Sequence, residues 1–428
     1  MKNLVWAEQI LDKHRTMLFF TSANLGLQIA SFCAQFVSLR FVPPGDMGIW
    51  QFVTMVEVYL MFSRLGVVNA MNREYPFLCG RGDFEQAKAI VRTAQTYSIL
   101  NGVVASAIFF VIGIFRYQWG PAWRIALFAM ALSVPAQLYL SYLEGTYRAE
   151  NEFHRLSILR LVQIPLLGIT LVLPWRLGLA GFCLRSLLLA LVSTILAHRY
   201  RPVRLPPGFS MPQFKTLITT GWHLLIWNYS FQLAQSFPRL AVVTLGGITA
   251  LGLFTPVNWC MVALGGLSGS ISAYLSPVLT FRYAKARVSV GVIALKAAML
   301  IVLIMIPAVV CGFFLLPAAV LKLTPGYALA IPAARLALIV SLVDCFSIAT
   351  IKFAATKAWR AMYVYLFFNI VLRFVGCFAG YHIGSGGMLG VTAGMLVSSI
   401  AMLLVTWLTV RGETLPEIEA ETIESSDE

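Results

Sequence analysis

Apolar runs of about 20 residues alternate with short polar segments along most of the chain, from Met17 to Val410. Each run is long enough to cross a ~30 Å hydrocarbon layer as a helix. Lipid offers no hydrogen bond to a bare peptide group, so the runs are predicted as helices rather than open strands. The pattern gives twelve spans, at 17–40, 47–70, 89–114, 122–143, 156–174, 178–198, 215–237, 240–275, 289–315, 328–354, 361–382 and 387–410. The eighth is overlong and takes in a turn near Gly246-Gly247. The class that follows is an all-α polytopic membrane protein with about 12 transmembrane helices.

Two of the spans carry polar stripes. Asn24, Gln28, Ser31 and Gln35 lie on one face of the first, and Asn228, Gln232, Gln235 and Arg239 on one face of the seventh. A shift of 204 residues superimposes them, and the sixth and twelfth spans open alike, with Gly178-Leu179-Ala180-Gly181 and Gly387-Met388-Leu389-Gly390. The chain therefore divides into an N-terminal segment (1–16), six helices (17–205), six more (206–411) and an acidic tail (412–428). An even number of spans per half makes the repeats parallel, with a substrate site between them near the midplane. A polar stripe in lipid faces either a water-filled cavity or a hydrogen-bonding neighbour helix. Both readings stand at this point.

Composition adds little to the class and much to the orientation. Hydrophobic residues make up 59% of the 428 and charged ones 12%, against about 25% charged in an ordinary soluble domain. The formal charge of +14 includes a tail from Glu413 with seven acids and no base, leaving residues 1–411 with 32 bases against 11 acids, or +21. Bases concentrate in alternate loops: Lys13/Arg15, Arg73/Arg81/Lys88, Arg148/Arg155, Arg199/Arg201/Arg204, Arg282/Lys285/Arg287, Lys357/Arg360 and Arg411. The intervening loops carry only Arg40, Arg116 with Arg124, Arg176 and Lys322. The positive-inside rule puts the first set and both termini in the cytoplasm. Trp6, Ile10 and Leu11 read as a short interfacial helix before a retained first span. Seven scattered cysteines without a CxxC read as packing residues. Nucleic acid is not a partner for so apolar a chain.

Catalytic chemistry is hard to place. There is no GxxxxGK[ST] loop, HExxH, GxSxG or His/Cys cluster at ligand spacing, which argues against an ATPase, and against an enzyme of any kind. No cofactor is implied beyond coupling to H+ or Na+. What remains are charges inside spans, each costing roughly 2.5–3.5 kcal/mol at a helix centre unless paired or hydrated. Arg64 follows Glu57 by seven residues on one face; Arg239 ends the seventh-span stripe. Arg185 and Arg335, nearer span ends, are expected to snorkel, and Arg373 is central in its span. Several guanidinium groups in one cavity suit a pyrophosphate. Alternatively Glu57 or Asp344 neutralises a neighbouring arginine, or carries a coupling ion. Gly386, Gly390 and Gly394 form a packing face, and Pro135, Pro165, Pro256 and Pro307 interrupt spans.

The segment from Gly66 to Pro76 (GVVNAMNREYP), followed by Gly80-Arg81-Gly82-Asp83, resembles the second-span exit and cytoplasmic loop of Wzx-like polysaccharide and O-antigen flippases. These belong to the multidrug/oligosaccharidyl-lipid/polysaccharide exporter superfamily. The resemblance implies two six-helix bundles in a V, with spans 1, 2, 7 and 8 lining the cleft. It also implies a polyprenyl-diphosphate-linked oligosaccharide as substrate, a precursor of lipopolysaccharide or exopolysaccharide. On this chain Arg64 and Arg239 match the cleft arginines, with Asn24, Gln28, Gln35, Asn228, Gln232 and Gln235 as further substrate contacts. Glu57 and Asp344 are the acids available for ion coupling. The expected location is the inner membrane, with a polymerase and glycosyltransferases as further partners. A cation-coupled multidrug exporter of the same superfamily is the alternative; its first span would commonly carry an acid. A glycan polymerase or ligase would want a long outer loop, and none is read.

Overall fold

The computed structural model describes residues 2–115, 117–266, 290–356, 358–383 and 387–411, with side chains from Leu18 onward except at 61, 117, 224, 290, 354–356 and 411. The expectations for the far end of the eighth span, the loop of Arg282, Lys285 and Arg287, Arg116, Lys357, Gly386, the side chains of 1–17 and the acidic tail lie outside the described residues. Every described regular element is helical. The helices are α1 (Lys2–Ser38), α2 (Pro44–Leu60), α3 (Val67–Gly80), α4 (Phe84–Phe115), α5 (Pro121–Ala149), α6 (Phe153–Ile169) and α7 (Val172–Arg199). They are followed by α8 (Met211–Leu253), helical residues 255–266 (α9), α10 (Val290–Leu323), α11 (Ile331–Asp344), α12 (Ile351–Thr356), α13 (Trp359–His382) and α14 (Gly387–Arg411). Among the described residues, eight helical stretches are long and apolar enough to cross a membrane, or nine with the bent pair α2 and α3. The twelve spans read from the sequence are thus reached only in part: α6 has 17 residues, and α1 interrupts its apolar surface with Asn24, Gln28 and Gln35.

Three spans differ in detail from the apolar pattern. The second, read as one helix, stops in a 3₁₀ turn at Met61–Arg64. Leu65 and Gly66 then take left-handed conformations, φ 48° and 70°, and α3 leaves at 41° to α2. The seventh does not end at 237. It continues through Arg239 and breaks at Gly247, φ 81° and ψ −178°, a backbone that excludes a side chain. The turn expected near Gly246-Gly247 is therefore present, and the boundary drawn before it falls inside a continuous helix. The tenth opens into a 3₁₀ stretch at Cys345–Thr350 between α11 and α12.

Packing follows the order of the chain. In the first half, α5 packs on α4 and α7, and α6 on α1; in the second, α14 packs on α11 and α13, with α10 against α11. The glycine face of α14 meets its like: a Cβ on Gly390 or Gly394 would lie 2.1 or 1.8 Å from the carbonyl oxygen of Gly380 or Gly376 on α13. The halves join where α2 lies along α8. Buried apolar side chains form three clusters. One joins Phe36, Val42 and Trp50 to Phe254, Trp259 and Tyr327, so both halves share it; there the Tyr327 hydroxyl donates to the Val42 carbonyl at 2.7 Å. The second holds Met71, Val91, Tyr147 and Leu159 with Leu217 from the start of α8. The third, Ile301, Phe353, Tyr365 and Met402, lies wholly in the second half. Both halves thus share the first core, the second joins the first half to the start of α8, and the third belongs to the second half alone.

Candidate functional site

α2 is apolar along both turns flanking Glu57, and Val53, Met55 and Glu57 itself are buried. The helix presents this acid to α8. Two residues on, Tyr59 shares a 3.2 Å hydrogen bond with Ser236 of α8 across the seam. Arg239, one turn beyond Ser236 on α8, lies within electrostatic reach of Tyr59 and Glu57. Arg64, in the 3₁₀ turn that ends the span, acts on Glu57 from the other side. The three charges are gathered without closing any ion pair. Glu57 Oε1, Arg64 Nε and Arg239 Nε are all buried with no hydrogen-bond partner. Buried charged atoms in that condition are costly unless water or a bound group completes them. Two guanidinium groups against one carboxylate leave a positive surplus.

The two arginines are not equivalent. Arg64 Nη1 points toward Ser141 Oγ on α5, at 3.5 Å, and its side chain lines a small cavity inside the first half with Tyr97, Asn101 and Ser141. It also feels Glu144, which is tied to Arg160 of α6 at 2.6 Å. Arg239 stands on the seam itself. Of the remaining stripe residues, Gln28 lies against α9, its amide occupying the space a Cβ on Gly266 would need. Asn24 and Gln35 on the same face of α1 are half-buried, whereas Asn228 and Gln232 on α8 are open. Polar side chains of α1 and α2 therefore confront α9 and α8. The sequence did not single out Tyr59, Ser236 or Asn101; the first two had a signal, since each lies within a turn of a charge already chosen.

Gln235 turns to another place. With Asp344, Tyr365, Asn369, Arg373 and Ser399 it lines a small cavity of about 70 Å3 within the second half. Arg373 donates from Nη2 to Asp344 Oδ1 in a short ion pair. Asp344 thus has an arginine partner, from α13 rather than from its own helix. Replacing Arg373 with Ala leaves Asp344 unpaired at one-third exposure. Breaking a buried pair costs ~3–5 kcal/mol, and Asp344's remaining exposure places the expected loss near the low end. A detergent-solubilised melting curve should show it. The double substitution Asp344→Asn with Arg373→Met should recover much of the lost stability.

Two other arginines have structural settings. Arg185, expected to snorkel, is instead fully buried, with Nε donating to Thr170 Oγ1 at 3.3 Å and Nη1 reaching Ser38 Oγ at 3.5 Å. The close packing of α7 against α1 and α6 leaves it no path to water. Arg335 donates to the Phe313 carbonyl at 3.0 Å and lies over that ring, fastening α11 to α10. Lys352, which sequence reading passed over, donates to the Val410 carbonyl at 2.6 Å and so serves the last turn of α14.

A family model described as polysaccharide biosynthesis protein matches residues 38–326, more than half of the chain. The chain belongs to this polysaccharide biosynthesis protein family. The match contains the 66–83 segment on which the family resemblance rested, together with Glu57, Arg64 and Arg239. Members of solved structure sets share the fold at low identity. An inward-facing multidrug resistance MATE family transporter of the MOP superfamily aligns with TM-score 0.71 and 15% identity, over 92% of this chain and 98% of that one. An outward-facing multidrug resistance MATE family transporter of the MOP superfamily gives 0.66 and 15% over 93% and 96%. A MOP superfamily transporter from Pyrococcus furiosus, described as having a binding pocket of reverse polarity, gives 0.64 and 16% over 93% and 95%. No curated protein sequence matches the chain. The family is one of polysaccharide biosynthesis proteins, and the fold is that of MATE transporters.

Proposed function

We propose that this family member is a flippase, carrying a polyprenyl-diphosphate-linked oligosaccharide from the cytoplasmic to the outer leaflet of the inner membrane. The observation that carries the reading is the buried positive surplus at the seam: Arg64 and Arg239 against Glu57, with unpartnered nitrogen atoms. A diphosphate completes such a site because guanidinium groups bind phosphate oxygens in charge-assisted pairs. Membership of a polysaccharide biosynthesis family supports a glycan on the other end of that diphosphate.

The halves, residues 17–205 and 206–411, are the moving bodies. The shared core around Tyr327 and Val42 forms the closed end; at the other end the start of α8 joins the core of the first half, and that end is the one that opens. By the distribution of basic loops the open end faces the cytoplasm, which suits loading from the leaflet where the lipid-linked precursor is assembled. The glycan would occupy the open polar surface of Asn228 and Gln232 while the lipid tail stays in the bilayer.

Purified protein in liposomes, with a lipid-diphosphate oligosaccharide placed in one leaflet, tests this directly. Protein-dependent appearance of the glycan on the opposite face, measured by lectin or glycosidase accessibility, is the expected result. Transport of a cationic dye on a proton or sodium gradient, with no movement of the glycolipid, would select the drug-exporter alternative instead.

A further inference from the structure

Away from the seam, the outer side of the first half carries an open groove of about 800 Å3 between α4, α5, the end of α7 and the chain that leads to α8. Its walls are of two kinds. Ile99, Val103, Leu132 and Leu191 are apolar and exposed, 37–61% of their surface, in the middle of spans where hydrocarbon surrounds them. At one end Arg201, Arg204 and His198 close it, with Arg199 beside them.

The basic end is a cluster of donors without an acid. Arg201 Nη1 lies 3.0 Å from the His198 ring and 3.5 Å from the Tyr139 hydroxyl, which itself meets His198 Nδ1 at 2.9 Å. None of Arg199, Arg201 and Arg204 has a carboxylate within 4 Å among the described residues, whereas Lys88, Arg155 and Arg160 elsewhere in the first half each do. The segment after α7 is held in place from below: Arg92 Nε donates to Pro206 O, the Gly208 N–H to Thr96 Oγ1 and the Ser210 N–H to Thr93 Oγ1, at 3.2, 2.9 and 3.3 Å. The arginines therefore sit on a fixed ledge above an apolar trough.

We infer that this groove binds an acidic glycerophospholipid of the leaflet at the α7–α8 end, its phosphate among Arg201, Arg204 and His198 and an acyl chain along Val103, Leu132 and Leu191. The charge and the position choose the occupant. Basic pockets between membrane helices hold anionic headgroups, and with no carboxylate in the groove an ammonium or choline headgroup finds nothing to pair with. The transported glycolipid is a poorer fit, because the groove lies on the far side of α4 and α5 from Glu57 and Arg239. The segment it touches links the two halves, so an occupied groove would hold the point about which they move.

The test uses the full chain, with phosphatidylglycerol and phosphatidylcholine as probes in detergent or nanodiscs. Native mass spectrometry should show phosphatidylglycerol retained and phosphatidylcholine lost. Arg201→Gln with Arg204→Gln should weaken the retained lipid roughly 30-fold, at about tenfold or less per arginine. Leu132→Trp, which blocks the trough without touching a charge, should weaken it as well while leaving the melting temperature in phosphatidylcholine unchanged. Equal retention of both lipids, or undiminished binding by both variants, would overturn the inference. So would displacement of phosphatidylglycerol by equimolar polyprenyl diphosphate, which would make the groove a substrate site.

Discussion

Replacing Arg239 with Ala is expected to reduce glycolipid translocation by roughly 10–100-fold while leaving the protein folded and inserted. The size follows from one charge-assisted hydrogen-bonding group, worth ~1.5–3 kcal/mol in a desolvated site. Folding should tolerate the change because Arg239 closes no ion pair whose loss would strand an acid: Glu57 retains Arg64 in electrostatic reach. Lys at 239 keeps the charge and loses the planar fork, so it should restore only part of the rate. Translocation in reconstituted vesicles, with melting temperature as the control, measures both. Normal export by Arg239→Ala would remove the seam cation from the mechanism.

Arg64 should behave differently. Its contacts with Ser141, Tyr97 and Asn101 lie inside the first half, so its removal is expected to cost stability as well as transport. Glu57 then becomes the discriminating residue. If it carries a coupling proton, Glu57→Gln flattens the pH dependence of transport; if it only tempers the two arginines, the neutral amide raises the positive surplus and leaves the pH profile alone.

How far the sequence reached can be judged from particular residues. Periodic apolar runs located most helices because burial in lipid is a local property of each segment. The polar stripes scattered instead: Gln28 lies against α9, Asn228 and Gln232 stay open, and Gln235 turns into the second half. The break at Leu65-Gly66 had no such signal. Apolar residues continue through it, and left-handed Leu65 runs against its own preference by roughly 1–2 kcal/mol. The close approach of Gly66 to Gly221 on α8, far along the chain, belongs to tertiary packing. The Tyr327–Val42 hydrogen bond spans 285 residues and could not be read from either site. Asp344 shows the intermediate case. That a membrane-buried acid would neutralise an arginine was legible from cost alone, but Arg335 in its own helix and Arg373 in the next were equally available. Only the tertiary approach of Arg373 to Asp344 favoured one of them.

Replacing Gly252 with Val should stop transport almost completely, to below about a tenth of the wild-type rate. A Cβ there would sit 1.7 Å from the Pro44 carbonyl oxygen and 2.8 Å from the Gly48 nitrogen, and one on Gly48 would lie 1.9 Å from the Ile248 carbonyl oxygen. All of these obstacles are backbone, which cannot rotate out of the way as a side-chain end does. The start of α2 therefore meets the Ile248–Gly252 turn with no room for even a methyl group. Because this contact lies in the core shared by both halves, a side chain would prop that end apart and empty the closed state. Cys260, buried in α9 just beyond this contact, provides the readout. Its reaction with a membrane-impermeant maleimide from the outer face should rise in Gly252→Val as transport falls. Gly45→Ala is the matched control, since nothing lies within 4 Å of a Cβ there; it should transport and label like the wild type. Full transport by Gly252→Val, or equal losses in both variants, would show that closure of this end is not a step of the cycle.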